Sequence, residues 1–324
     1  MNKKILILGN GFIASEFSRS YSPYLYNFDP DSLVKASDSS PPEYIGALIQ
    51  VPLLSSTDDK VAQYFDKIPV NHDSIMEIVS RYQPNVIINC IGKTGKPNVD
   101  WCETHQDETV EANLIFPTLL AQICNKQSIH LVHIGSGCIN YGASPRSIGC
   151  MYEPGWRETD FSNPKSFYSK VKYAADLALS GYDNVTIFRI RMPISPMPNP
   201  RNLITKLLGY KKIIQEPNSM TFTVDVLRAC KWAIDNNKFG IYNLAHKNPL
   251  TAYNIVKEYC KYNPSHQFES LSLSGLSSLT TATRSNCILD LSKIENDGFI
   301  FSDLTLESCI RQYFNNENIQ RGNS

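Results

Sequence analysis

Tyr168-Ser169-Lys170-Val171-Lys172 sets a phenol and an ammonium four residues apart at the start of a helical pattern. On a helix that spacing puts both on one face, so they can point into one cleft. A tyrosine with an ordinary pKa of ~10 is a poor acid–base at neutral pH, and a neighbouring cation stabilises its phenolate. Ser136 ends the apolar run 131–134 and is placed to hydrogen-bond a carbonyl that Tyr168 protonates. A second constellation lies at the N-terminus, where Gly9-Asn10-Gly11-Phe12-Ile13-Ala14 matches G-x-G-x-x-[GA] directly after an apolar run. Gly9 permits the tight turn and Gly11 lets backbone approach a pyrophosphate. Ala14 allows close helix–sheet packing, and the helix N-terminus receives the negative charge. A plain strand-to-helix turn is the competing reading. Asp29 ends a second apolar run about twenty residues on, where a carboxylate would accept from the ribose 2′-OH of NAD. Equally, Asp29-Pro30 can simply start a turn, so Asp29 leans the cofactor toward NADH without deciding between NADH and NADPH.

These residues need elements to hold them. Near-continuous apolar runs at 5–8, 24–28, 86–90, 131–134 and 185–190 read as strands buried on both faces. Helix-period segments at 12–21, 74–82, 107–125 and 168–180 separate them. Alternation of this kind predicts an α/β fold, a Rossmann-type doubly wound parallel sheet, with a smaller C-terminal substrate-binding lobe. The expected division is 1–190 for the NAD(P)-binding domain, with an irregular insertion at 35–60. Residues 191–314 form the lobe, with short helices at 223–236, 252–262 and 305–314, and 315–324 form a polar, fraying tail.

Composition bounds the partners. Among 324 residues, 31 Lys and Arg balance 31 Asp and Glu, which argues against nucleic acid. No apolar run is long enough to span a bilayer, and the N-terminus lacks the pattern of a signal peptide. Nine cysteines, an odd number with no C-x-x-C pair, predict reduced thiols in a cytoplasmic protein. None of the six histidines has metal-ligand spacing, so no metal is expected, and His133 within a strand reads as a hydrogen-bonded core residue. Asp100 and Glu103 read as helix-capping or loop-orienting carboxylates.

The glycine loop, the tyrosine–lysine pair and the upstream serine together resemble an extended short-chain dehydrogenase/reductase. Within that group the chain is similar to the bifunctional 3,5-epimerase/4-reductases of rhamnose synthesis. The resemblance rests on Gly92-Lys93-Thr94-Gly95-Lys96-Pro97-Asn98-Val99-Asp100-Trp101-Cys102-Glu103, Gly135-Ser136-Gly137-Cys138-Ile139 and Ser166-Phe167-Tyr168-Ser169-Lys170. It continues through Arg189-Ile190-Arg191-Met192-Pro193, Asn199-Pro200-Arg201-Asn202-Leu203-Ile204-Thr205-Lys206, Pro217-Asn218-Ser219, Gly240-Ile241-Tyr242-Asn243 and Arg284-Ser285-Asn286. Two features depart from the family: a phosphate loop one residue shorter, and the insertion at 35–60.

The resemblance implies catalytic roles for Ser136, Tyr168, Lys172, Cys138 and Lys206. Cys138 and Lys206 would be the epimerase pair, because a 4-ketone acidifies C3 and C5 and each epimerisation needs a base and a proton donor. A thiol with an ordinary pKa of ~8.5 beside a cation suits that work. The resemblance further implies NAD(P)H contacts from Gly9, Gly11, Phe12, Ile13, Asp29, Cys90, Gly92, Lys93, Tyr168, Lys172 and Pro193. It implies nucleotide-sugar contacts from Asn98, Asn202, Asn218 and Arg284, and a homodimer is one expectation. The competing functions are a simple 4-ketoreductase, an epimerase/reductase of the GDP-fucose synthase kind, or a catalytically silent NAD(P)-binding regulator.

Overall fold

The computed structural model describes residues 3–9, 11–21, 44–49, 71–147 and 154–322. In chain order the elements are β1 (Lys3–Leu8), α1 (Phe12–Tyr21), β2 (Tyr44–Ile49), α2 (His72–Tyr82) and β3 (Val86–Asn89). Next come α3 (Trp101–Thr104), α4 (Gln106–Val110), a π-helical turn (Glu111–Ile115), α5 (Phe116–Lys126) and β4 (His130–Ser136). After short 3-10 turns at Gly137–Ile139 and Pro145–Ser147 follow α6 (Phe167–Leu179), β5 (Val185–Ile190), α7 (Leu203–Leu208) and β6 (Lys212–Ile214). The chain finishes with α8 (Thr223–Asp235), β7 (Gly240–Leu244), α9 (Ala252–Cys260), β8 (Glu269–Leu271), α10 (Leu273–Ser277), α11 (Ser292–Asn296) and α12 (Leu306–Gly322).

Six strands form one sheet in the order β2-β1-β3-β4-β5-β7. β1 pairs in parallel with β2 and β3, and β3 with β4. β3 and β5 are buried at every position, as their near-continuous apolar runs require of strands covered on both faces. The chain divides into two compact units. The first, here the sheet unit, comprises Met1–Gly135, Val171–Phe188 and Cys230–Ile241. Its core joins Leu6, Ile87, Leu131 and Ile187 of the strands to Ile75 of α2 and Phe116 of α5. The second unit comprises Ser136–Lys170, Arg189–Ala229 and Tyr242–Ser324, with a core built from Ile204, Ile213, Phe222, Ile255, Tyr259 and Ile310. Among the described residues no helix is long and apolar enough to cross a membrane.

Three expectations change. Part of the supposed insertion is a strand: Tyr44–Ile49 pairs with all six residues of β1, from Lys3↔Tyr44 to Leu8↔Ile49. The expected strand at 24–28, and Asp29 with it, lie outside the described residues. The division at 190 also gives way, because chain leaving the ends of β4 and β5 enters the second unit and returns through α6 and α8. Finally, the polar tail stays helical to Gly322, supported by an Arg321–Glu317 pair at 2.9 Å and by Tyr259 donating to Glu317 at 2.7 Å.

Candidate active site

In the sheet unit, β1 and β3 lie side by side while their onward connections lead to opposite edges of the sheet. Past the carboxyl ends of such a pair is where doubly wound sheets receive ligands. Gly9 follows β1 with φ +129°, and an added Cβ would stand 3.1 Å from the Cys90 carbonyl carbon, so glycine is required by both conformation and space. The Cys90 amide donates to Leu8 O at 2.8 Å, locking the two strand ends together. At Gly11 an added Cβ would meet nothing within 4 Å, which leaves open space before the N-terminus of α1. The first turn of α1 carries no acidic side chain, while Phe12 and Ala14 are buried and Ile13 is half-buried. The helix N-terminus, the missing Cβ atoms and a first turn without acidic side chains fit the pyrophosphate of a dinucleotide. Cys90 lines this turn as a neutral thiol, because burial pushes its pKa far up.

The loop beyond β3 is held by a residue the sequence reading missed. Asn113 sits on the π-helical turn and is 1% exposed. Its Oδ1 accepts from Lys93 N at 3.2 Å and its Nδ2 donates to Lys93 O at 2.9 Å, so one side chain satisfies both backbone groups of Lys93. A Cβ on Gly92 would lie 3.2 Å from the same Oδ1. Lys93 Nζ lies 4.6 Å from the Trp101 ring, and His105 stacks on that ring at 3.9 Å. Asn98 Oδ1 accepts from Asp100 N at 2.8 Å and shapes the turn into α3. A buried asparagine inside an otherwise helical apolar pattern was the available signal for Asn113.

Helix α6 carries Tyr168, half-buried, in its first turn and Lys172 one turn later on the same face. Lys172 is 3% exposed, and its Nζ lies 3.3 Å from Nε2 of His133. Burial lowers its pKa to about 8, with Asp176 one turn further along pulling upward. His133, read from sequence as a core residue, is indeed fully buried, and burial followed by the nearby Lys172 holds its pKa well below the usual histidine value.

In the second unit, Ser136 ends β4 and its Oγ accepts from Cys138 N at 3.2 Å. That contact occupies a lone pair and leaves the hydroxyl proton free to donate elsewhere. Cys138 is half-buried on the 3-10 turn. Its carbonyl accepts from Ser169 Oγ at 2.7 Å, and Ser169 also bonds Tyr141 Oη at 2.7 Å and Ser166 Oγ at 2.8 Å. The residue next to Tyr168 is thereby pinned to the turn that bears Ser136 and Cys138. These three predicted residues are brought together.

Under the same turn lies Arg191, 1% exposed. Its Nη1 donates to Gly137 O at 2.8 Å and Ser285 Oγ at 2.7 Å. Its Nη2 donates to Asn218 Oδ1 at 2.7 Å and Ser285 O at 3.2 Å, and its Nε to Ser219 O at 3.3 Å. A Cβ at Gly137 would strike Arg191 Cγ at 2.8 Å, so glycine is what lets the turn rest on this side chain. Asn218, 2% exposed, also accepts from Cys287 N and donates to Asn286 Oδ1 at 2.7 Å. Asn202, fully buried, caps α7 and donates to Ser195 O at 2.7 Å and Met197 O at 2.8 Å. Both asparagines spend their polar atoms on the protein, so their part is to hold loops. Pro193 O accepts from Leu203 N at 3.1 Å. Lys206, in the last turn of α7, is half-buried, and burial followed by Arg201 lowers its pKa. Arg284 is half-buried and donates to Ala282 O at 3.1 Å.

Residues 64–211 match the family model described as the RmlD substrate binding domain. A bifunctional dTDP-4-dehydrorhamnose 3,5-epimerase/dTDP-4-dehydrorhamnose reductase of Arabidopsis thaliana is 35% identical over 230 residues, 70% of this chain and 76% of that protein. The crystal structure of a UDP-rhamnose synthase from Acanthamoeba polyphaga mimivirus superposes with a TM-score of 0.76 at 25% identity, covering 96% of this chain and 100% of that one. A dTDP-4-dehydrorhamnose reductase from Bacillus anthracis, solved with NADP, shares the fold at a TM-score of 0.73 and 18% identity, over 97% of this chain and 99% of that one. By this relationship the chain belongs to the bifunctional 3,5-epimerase/4-reductase family, nucleotide-sugar enzymes of the extended short-chain type.

Proposed function

We propose that the protein carries an NDP-4-keto-6-deoxyglucose through 3,5-epimerisation and 4-reduction to an NDP-L-rhamnose. The observation that carries this reading is the Ser169–Cys138 bond, which ties the helix end bearing Tyr168 to the turn bearing Ser136 and Cys138. Ser136, its Oγ already accepting from backbone, donates to the C4 oxygen and steadies enolate character there. Tyr168 delivers the proton that completes the C4 alcohol, and Lys172 supplies the charge that favours the phenolate left behind. Cys138 and Lys206 take and return the carbon-bound protons at C3 and C5. The depressed pKa of Lys206 suits it to proton transfer closer to neutrality than an ordinary lysine allows.

Gly9, Gly11 and the start of α1 would hold a nicotinamide dinucleotide, with Phe12, Ile13, Cys90, Gly92 and Lys93 around it; that group would supply hydride to C4. Arg284 and Asn98 serve the nucleotide-sugar, and Asn202 and Asn218 serve it through the loops they hold. The eight cysteines described are all free, which supports a reducing compartment such as the cytoplasm.

The test is solvent exchange. Incubated in deuterated water without NAD(P)H, the protein should place deuterium at C3 and C5 of the keto sugar. Cys138→Ser should suppress that exchange yet still reduce a substrate epimerised beforehand. Reduction by the unaltered protein with no deuterium at either carbon would leave a plain 4-ketoreductase.

A further inference from the structure

Asn89, which ends β3, and His133, in the middle of β4, are register partners on neighbouring strands. Both are fully buried, and Lys172 comes to rest on the far side of the imidazole. The bonds between these groups have a direction. Asn89 Oδ1 accepts from the Ile91 amide at 3.0 Å, which orients its amide and turns Nδ2 toward His133 Nδ1, at 3.1 Å. A donor facing Nδ1 requires Nδ1 to be the acceptor, so the proton of the neutral ring belongs on Nε2. Nε2–H then points at Lys172 Nζ across 3.3 Å. An amine accepts that bond through its lone pair. An ammonium has no lone pair and would set donor against donor.

We propose that Asn89, His133 and Lys172 form a hydrogen-bond chain whose direction reverses when Lys172 takes up a proton, so that a charged lysine and the Asn89 grip on the Ile91 amide are alternatives. In the direction described, Ile91 N–H is held, His133 carries its proton on Nε2, and Lys172 is an amine. When Lys172 gains a proton it donates to Nε2, the ring proton moves to Nδ1, and the Asn89 amide turns over to accept from it. The Ile91 amide loses its acceptor. One proton is added to the chain and none is lost from it, with the imidazole neutral in both states.

The groups facing Lys172 support this assignment. From β4 comes the neutral His133, and from its own helix come Tyr168 one turn before and Asp176 one turn after. Asp176 draws charge onto the lysine, while burial opposes it, and the midpoint near 8 puts both chain directions within reach of ordinary pH. Ile91 opens the loop of Gly92 and Lys93 beyond β3, so the chain links that loop to the lysine on α6. Asn89 and His133 act as positioning residues. Their importance for turnover rests on the function proposed above, but the chain itself does not.

The experiment reads the ring directly. In protein labelled with 15N-histidine, the His133 nitrogens should report Nε2–H above the Lys172 midpoint and Nδ1–H below it. The crossover should coincide with the titration of Lys172 followed through its side-chain carbons. Asn89→Asp should lock the Nδ1–H form at all pH values, because a carboxylate can only accept, and should raise the Lys172 midpoint by about one unit or more. His133→Phe should remove the Ile91 amide's dependence on pH. A His133 tautomer that stays fixed while Lys172 titrates would overturn the proposal, as would an imidazolium signal. These measurements on unaltered protein need neither substrate nor turnover, so they fail independently of the epimerase/reductase reading, and they stand even if Asn89→Asp does not fold.

Discussion

Lys172 in the sheet unit and Arg191 in the second unit are both nearly sealed from solvent, at 3% and 1% exposure, and among the described residues neither donates to a carboxylate. Their surroundings treat them differently. Arg191 is met by five neutral acceptors arranged around its planar fork, so each of its nitrogens is bonded and its charge is spread over carbonyl dipoles. Lys172 is met by a single imidazole nitrogen, and burial brings its pKa down to about 8. A guanidinium cannot give up its proton, so a protein that buries one must build acceptors for it. An ammonium can, and a sparsely furnished site makes it a titrating group. Arg191 is therefore a structural charge and Lys172 a variable one.

That contrast is most exposed to test at Arg191. Arg191→Met removes the donors that serve Gly137 O, Asn218 Oδ1, Ser219 O and both acceptors on Ser285 together, and should cost about 3 kcal/mol or more by urea unfolding. Arg191→Lys should recover less than half of this, since an ammonium cannot match the fork. Full recovery would make the charge, not its geometry, the important property. Lys172→Met should do the reverse, changing stability by under ~1 kcal/mol while slowing reduction ~10²-fold or more. A stability loss matching that of Arg191→Met would show the lysine to be a fixed charge after all. The smallest effect is one of pH. Because the Lys172 pKa lies below its ordinary 10.5, the ammonium is present at low pH and lost as pH rises through about 8. Reduction should decline above that point, and a profile flat to pH ~10 would sink the assignment.

The sheet was legible because strands buried on both faces write themselves as near-continuous apolar runs. The run 185–190 and the strand Val185–Ile190 coincide, and α1 covers the predicted 12–21. Tyr44–Ile49 escaped because it stands among Ser, Pro and Asp residues that signal irregular chain, while its strand character comes from pairing with β1. The candidate residues on α6 and at the end of β4 were legible because each lies in a short local motif. Arg191 and Asn113 were missed as site-builders for the opposite reason. The partners of Arg191 lie at Gly137, Asn218, Ser219 and Ser285, and Asn113 reaches back to Lys93, separations that no local pattern encodes. His133 was read as a core residue from its strand, but its second neighbour, Lys172, arrives from a helix that spacing alone does not place.

The passage of the chain between the two units has a consequence for its synthesis. Residues 136–170 and 189–229 belong to the second unit, while the sheet unit needs residues as late as Ile241. On a ribosome adding roughly 5–20 residues per second, the sheet unit's last segment emerges on the order of 12–50 s after the first. By then two long stretches of the second unit are already out of the tunnel, lacking α9 and α12 to close their own core. Stopping the chain near residue 190 would complete neither unit. The nascent protein therefore carries two half-built cores through most of its elongation, and translation speed and early chaperone capture bear on its yield more than they would for a chain whose domains follow one another in sequence.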